Sequence, residues 1–161
     1  MRGGALPPGL LLAALALALA FAPARARLVA IALAGLCGLA AIWAPAPAAW
    51  AEVIFAGCWL SVAVTALSVH LPAGLGSRGA WILGANAGLW SGAVIAVAGE
   101  PIDLAKASIA LLLCPLAVWA IRRRGAIAVK TVASWLLAVA VLAATLPMLA
   151  ATPGYVPDHM Q

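Results

Sequence analysis

Residues 104–130 read LAKASIALLLCPLAVWAIRRRGAIAVK, and they show how the whole chain is organised. A long apolar run ends at three consecutive arginines, a glycine follows, and the next apolar run begins at once. Charge is confined in the same way to the gaps, or near the gaps, between the other apolar runs. Because a helix in hydrocarbon needs about 20 apolar residues and keeps charges near its ends, this pattern predicts consecutive transmembrane helices.

The overall composition leads to the same prediction. Of 161 residues, 67% are hydrophobic and 8% are charged, whereas a soluble domain carries about 25% charged residues. The mean hydropathy is +1.17. Such a chain cannot cover a water-facing surface, so its apolar side chains are expected to face lipid. We predict an all-α fold, a polytopic transmembrane helix bundle of about six helices, forming a single integral membrane domain over residues 1–161.

Proline and glycine divide the apolar sequence into six runs. These residues end helices at points where water can again satisfy the backbone, so each run is predicted to be one helix. The predicted helices cover approximately residues 6–22, 28–44, 49–71, 80–98, 104–121 and 126–150, followed by an exposed carboxyl-terminal tail at 151–161.

Basic residues are concentrated in alternate gaps. Positively charged loops stay on the cytoplasmic side, so this asymmetry predicts that both termini are periplasmic. The high alanine content and the preference for arginine over lysine indicate a GC-rich bacterial genome, and we therefore expect the chain to lie in a bacterial inner membrane. No basic face exists that would follow the phosphates of a nucleic acid. The gaps after the first, third and fifth runs hold Arg25, Arg27, Arg78, Arg122, Arg123 and Arg124.

The amino-terminal 26 residues also resemble a secretory signal peptide. They contain Arg2, an apolar stretch from Leu10 to Ala20, and an Ala-Arg-Ala site that ends at Ala26. Cleavage there would leave five helices and would place the arginine-bearing loops outside, against the charge rule. We therefore expect the first helix to be retained.

Two stretches of the chain resemble each other at a spacing of 54 residues. At this spacing Gly38 matches Gly92, and Glu52 falls opposite Lys106. Each unit would be two helices joined by a short proline-bearing loop. Chance also produces such matches in an alanine-rich chain, so repeated two-helix units and coincidence both stay open.

A stripe of small residues marks the fourth predicted helix, where Gly84, Gly88 and Gly92 recur every four residues. In lipid, helices associate largely through small residues that let their backbones approach closely. The stripe therefore predicts a tight helix contact, within the chain or with another subunit. Asn86 lies beside it at mid-span and is expected to bond another helix or to contact a partner or solute.

Glu52 and Lys106 are a candidate intramembrane polar pair. Each lies about one turn inside its helix, where an ion pair between them would satisfy both charges. In the alternative, Lys106 pairs with Asp103 on its own helix and Glu52 reaches outward. Further candidates for contact with a partner or solute are Glu100, Asp103, Asp158 and His159.

Catalytic and metal-binding patterns are missing from the sequence. The three cysteines lie inside apolar runs and form no CxxC pair, which argues against a disulfide framework or a zinc site. No nucleophile–base pair, phosphate loop or dinucleotide motif is present. We predict no cofactor, no metal and no enzymatic activity.

Three classes of function are compatible with these features. The first is a non-catalytic accessory or scaffold subunit of an inner-membrane complex, which the scarcity of polar residues within the helices favours. The second is a small oligomeric transporter or channel for an ion or small solute, using Glu52, Lys106 and Asn86. The third is a membrane redox or metal-handling protein. The predicted partners are the lipid bilayer and either other membrane subunits or further copies of the chain.

Overall fold

The computed structural model describes residues 6–44 and 47–146, and every regular element within them is helical. Helices α5 (Pro101–Ser108) and α6 (Leu113–Arg122) continue each other through a 3-10 turn, so they form one span, Pro101–Arg122. The predicted all-α bundle of about six helices is confirmed. The helices are α1 (Leu6–Leu19), α2 (Ala24–Ile42), α3 (Ala51–Ser68), α4 (Ser77–Ala98), α5 (Pro101–Ser108), α6 (Leu113–Arg122) and α7 (Ala126–Thr145), with 3-10 turns at Ala48–Trp50 and Ile109–Leu112.

Five helical segments are long and apolar enough to cross a bilayer, namely α2, α3, α4, the Pro101–Arg122 span and α7. Helix α1 is shorter. Its 14 residues extend about 21 Å, against about 30 Å for the hydrocarbon core of a membrane. The chain is a multi-pass membrane protein.

Helix α1 lies at the centre of the bundle. Every residue from Leu11 to Ala20 is buried, and the helix packs against α3, α4, α5, α6 and α7. A helix that is apolar on all sides must be enclosed by protein or lipid, and here the neighbouring helices enclose it. The signal-peptide alternative would therefore remove the central helix of the bundle.

Helices α2 and α4 run parallel and approach each other more closely than side chains larger than alanine would allow. The α2 carbonyl oxygens reach the α4 glycines, an arrangement in which Cα–H···O contacts form. Partners along the contact are 54 residues apart, the spacing of the predicted repeat, and the repeat itself stays a prediction. An added Cβ on α4 would overlap the α2 backbone at three positions: Gly84 at Ala30, Gly88 at Ala34, and Gly92 at Gly38.

The connections that carry arginine gather at one end of the bundle. A Cβ added at Gly74, between α3 and α4, would lie 3.3 Å from the carbonyl oxygen of Phe21, between α1 and α2. Nε2 of His70, after α3, lies 3.2 Å from Oγ of Ser134 in α7. Helix α2 begins directly after Pro23, so the arginines predicted for the first loop lie in its first turn. We call this the arginine end of the bundle.

The turn between α6 and α7 is as tight as the quoted sequence predicts. Helix α6 ends at Arg122 and α7 begins at Ala126. The backbone N–H of Gly125 donates to the carbonyl oxygen of Ala120 at 2.8 Å, while Arg124 adopts a left-handed conformation with φ 67°. This is the hydrogen-bond pattern of a Schellman cap. An arginine in the left-handed region costs about 1 kcal/mol relative to glycine.

The 3-10 turn between α5 and α6 has a local cause in Pro115. Proline lacks an N–H group, and its ring crowds the carbonyl of the residue four positions earlier, here Leu111. The backbone just before the proline therefore tightens from α-helical to 3-10 geometry over Ile109–Leu112. The span continues beyond it without reversing direction.

Gly88→Ala should push α2 away from α4, because the added methyl group would overlap the Ala34 backbone. We expect the free energy of unfolding to fall by about 1–3 kcal/mol, the usual cost of overpacking. Gly35→Ala is the matched control, since no heavy atom lies within 4 Å of a Cβ at that position. Unfolding of the purified variants by SDS titration measures both effects. Equal losses in the two variants would contradict the α2–α4 packing.

Candidate functional site

A groove between α3 and α4 opens to the lipid-facing surface near the middle of both helices. Its volume is about 310 Å³. Ser61 and Asn86 are its polar residues, and the side chains of Leu60, Val64 and Ile82 are exposed at its rim. The groove is therefore an apolar depression with one polar position near the middle of the two helices. We call it the α3/α4 groove.

Asn86 uses only part of its hydrogen-bonding capacity within the chain. Its Nδ2 donates to Oγ of Ser61 at 2.7 Å, and the amide makes no other hydrogen bond to the described residues. A primary amide offers two donor hydrogens and a carbonyl acceptor. Because Asn86 is only half-buried, the unused groups can be reached from the groove. Hydrocarbon supplies no partner for them.

Trp90 and Gly57 close one end of the groove. The indole ring of Trp90 lies directly on α3 at Gly57, where a Cβ would overlap the ring. Trp90 is one turn beyond Asn86 along α4, on the side away from the arginine end. The absence of a side chain at Gly57 thus lets a large aromatic residue form a fixed wall beside the polar position.

Glu52 and Lys106 are not brought together by the structure. Nζ of Lys106 lies 2.8 Å from Oδ1 of Asp103, one turn earlier on the same helix. The other carboxylate oxygen of Asp103 accepts a hydrogen bond from the backbone N–H of Glu100 at 3.0 Å. Glu52 is exposed in the first turn of α3 and makes no ion pair with a described residue. The structure therefore contains the alternative arrangement, in which Lys106 pairs with Asp103 on its own helix.

The remaining predicted residues lie apart from the groove. Gly84, Gly88 and Gly92 face α2 and are covered by it. Glu100 is exposed at the beginning of α5. Asp158 and His159 fall outside the described residues. Within residues 6–44 and 47–146, no group of three or more His, Cys, Asp or Glu side chains has an arrangement that could hold a metal ion.

Two serines form contacts that their positions in the sequence do not predict. Ser61 accepts the hydrogen bond from Asn86. Ser134 lies 3.2 Å from His70 Nε2, and its Oγ also donates to the carbonyl oxygen of Lys130 at 3.0 Å. No carboxylate bonds the His70 ring in the described part of the chain, so the Ser134–His70 contact acts as a link between α3 and α7. Ser61 could have been identified from the sequence because it is a polar residue in the middle of an apolar run.

Comparisons with protein-family models, with curated proteins and with solved structures give no significant match.

The hydrogen bond between Asn86 and Ser61 should contribute measurably to the stability of one copy. In a double-mutant cycle of Asn86→Ala and Ser61→Ala, we expect a coupling of about 0.6 kcal/mol, the average for such bonds in membranes. Thr131→Ala is the control partner, because the Thr131 hydroxyl donates to the Ile127 carbonyl of its own helix. Unfolding in dilute detergent gives the four stabilities of each cycle. A coupling of zero for Asn86 and Ser61 would contradict the bond.

Proposed function

We propose that this chain is a non-catalytic accessory or scaffold subunit of a bacterial inner-membrane complex. The observation that carries the proposal is that apolar side chains fill the interior of the bundle. Helix α1 fills its centre, and its buried residues from Leu11 to Leu19 are all leucine or alanine. A solute path through one copy would need polar groups at this depth. Among the described residues, the buried polar side chains are three hydroxyls, those of Ser61, Thr65 and Ser91.

The distribution of charge supports a role carried out at the surfaces of the bundle. Glu52, Glu100 and Lys106 are exposed on the end opposite the arginine end, where they are available to a neighbouring subunit. The arginine end is expected to stay in the cytoplasm, which would put both termini in the periplasm. Apolar side chains cover the lipid-facing surface between the two ends. The chain would thus act through contacts rather than through an internal site.

An oligomeric transporter or channel is the second candidate, and the α3/α4 groove is the one feature that favours it. Asn86 lies near mid-membrane, which is the depth at which transporters bind their solutes. A path would then have to run between copies, with Glu52 and Lys106 near its outer mouth. The redox or metal-handling alternative depends on the carboxyl-terminal tail, which lies outside the described residues.

Isolation of the chain in its native assembly tests the proposed function. The chain, tagged and expressed at its native level, is cross-linked in the membrane and extracted in mild detergent. We expect a second membrane protein to co-purify at a fixed molar ratio, quantified by mass spectrometry. A tagged membrane protein of similar size from the same cells is the control for non-specific recovery.

A different result would support transport instead. In that case the chain would be recovered without any partner and would conduct protons or potassium ions in proteoliposomes. Glu52→Gln and Lys106→Met should then abolish the flux, whereas Arg78→Gln, at the arginine end, should retain it. This outcome would contradict the accessory role.

A further inference from the structure

We infer that the α3/α4 groove is the contact surface between two copies of this chain, which pair through Asn86 about a two-fold axis along the membrane normal. The pairing goes beyond the proposed function, since a subunit can form this dimer with or without other partners.

The occupant of the groove must offer hydrogen-bonding groups at mid-membrane depth. Asn86 has an unused N–H and an unused carbonyl oxygen facing the groove, and lipid tails satisfy neither. The exposed hydroxyls of α7 do not create the same need, because each donates to a carbonyl oxygen of its own helix. These bonds run from Thr131 to Ile127, from Ser134 to Lys130 and from Thr145 to Val141. Within the described helices, Asn86 is the one residue with a side-chain amide. Part of the hydrogen-bonding capacity of this amide remains unused.

A second copy meets this requirement by symmetry. Copies inserted in the same orientation place Asn86 at the same depth, whatever the tilt of the bundle. A primary amide is self-complementary, because the free N–H of each Asn86 can donate to Oδ1 of the other. The same patch then serves on both copies, as an isologous two-fold interface requires. The bond from Asn86 to Ser61 can remain in each copy, since it uses the other N–H.

The surface around Asn86 suits a helix contact of this kind. Leu60 and Val64 form a ridge on α3, and Ile82 lies on the opposite rim. Ridges of one copy can enter the groove of the other, which is the usual geometry of helix packing. The glycine stripe on α4 cannot serve the same purpose, because α2 already covers it. The α3/α4 groove therefore combines an open depression with an amide that makes only part of its possible hydrogen bonds.

Counting subunits in a bilayer tests the inference. The full chain carries one fluorophore at its carboxyl terminus and is reconstituted in phosphatidylcholine–phosphatidylglycerol vesicles over a range of protein-to-lipid ratios. Stepwise photobleaching then gives the fraction of dimers at each ratio. We expect a monomer–dimer equilibrium for the unchanged chain. A chain that stays monomeric at every ratio would overturn the inference and would leave lipid as the occupant of the groove.

Four variants separate the amide pair from other modes of association. Asn86→Leu should weaken dimerisation about tenfold, because two interhelical hydrogen bonds are lost. Val64→Trp should weaken it by filling the groove while leaving Asn86 in place. Ser61→Ala removes only the bond within one copy and should retain the dimer, and Leu36→Trp, on the exposed face of α2, should have no effect.

The dimer fraction of Asn86→Leu, compared with the fractions of the other variants, decides whether the copies pair through the amide. The comparison holds even if one variant folds poorly. A dimer that survives Asn86→Leu, or that is lost equally in Ser61→Ala, would overturn the pairing through the amide. A dimer that survives both Asn86→Leu and Val64→Trp would place the interface elsewhere. Co-purification with another membrane protein is a separate measurement, so a failure of the dimer and a failure of the proposed function can be told apart.

Discussion

Helices in a bilayer gain little by hiding leucine from lipid, because the lipid is equally apolar, so this bundle depends on contacts closer than large side chains allow. The contact between α2 and α4 shows this most clearly. Three α4 glycines lie against the α2 backbone, and a methyl group at any of them would overlap it. Helix α2 has its main contact with α4, so its place in the bundle depends on those glycines. The same constraint explains why alanine is so frequent among the buried residues.

The central position of α1 could not be predicted from the sequence. All six apolar runs have similar composition, and a helix facing lipid looks like one enclosed by protein, since both surroundings are apolar. The number of helices and the place of the connections could be predicted, because Arg122–Arg124 and the prolines mark them. Helix α2 begins at Ala24 rather than at the predicted residue 28, because the arginines after Pro23 are helical rather than part of a loop.

The polar residues show why long-range pairing is difficult to predict. Glu52 and Lys106 occupy matching positions in the predicted repeat, yet Lys106 bonds Asp103 one turn away, because a neighbour on the same helix needs no second helix in the right place. The glycine stripe predicts a close helix contact but does not show which helix is the partner. Asn86 was expected to bond another helix, whereas its acceptor, Ser61, depends on the rotation of α3. In this chain, the spacing of residues in the sequence indicates which positions make contacts between helices. The residues that they contact become clear only from the packing of the helices.

Helix α1 is enclosed by its neighbouring helices, and its exposure to lipid is the direct test of this arrangement. The full chain is reconstituted in vesicles that contain a phospholipid with a photoreactive diazirine in its acyl chain, irradiated, digested and mapped by mass spectrometry. Residues 11–19 should remain unlabelled, while Leu36 and Leu39 on the exposed face of α2 should react strongly. Labelling of α1 as heavy as that of α2 would contradict the arrangement and the apolar interior on which the proposed function depends.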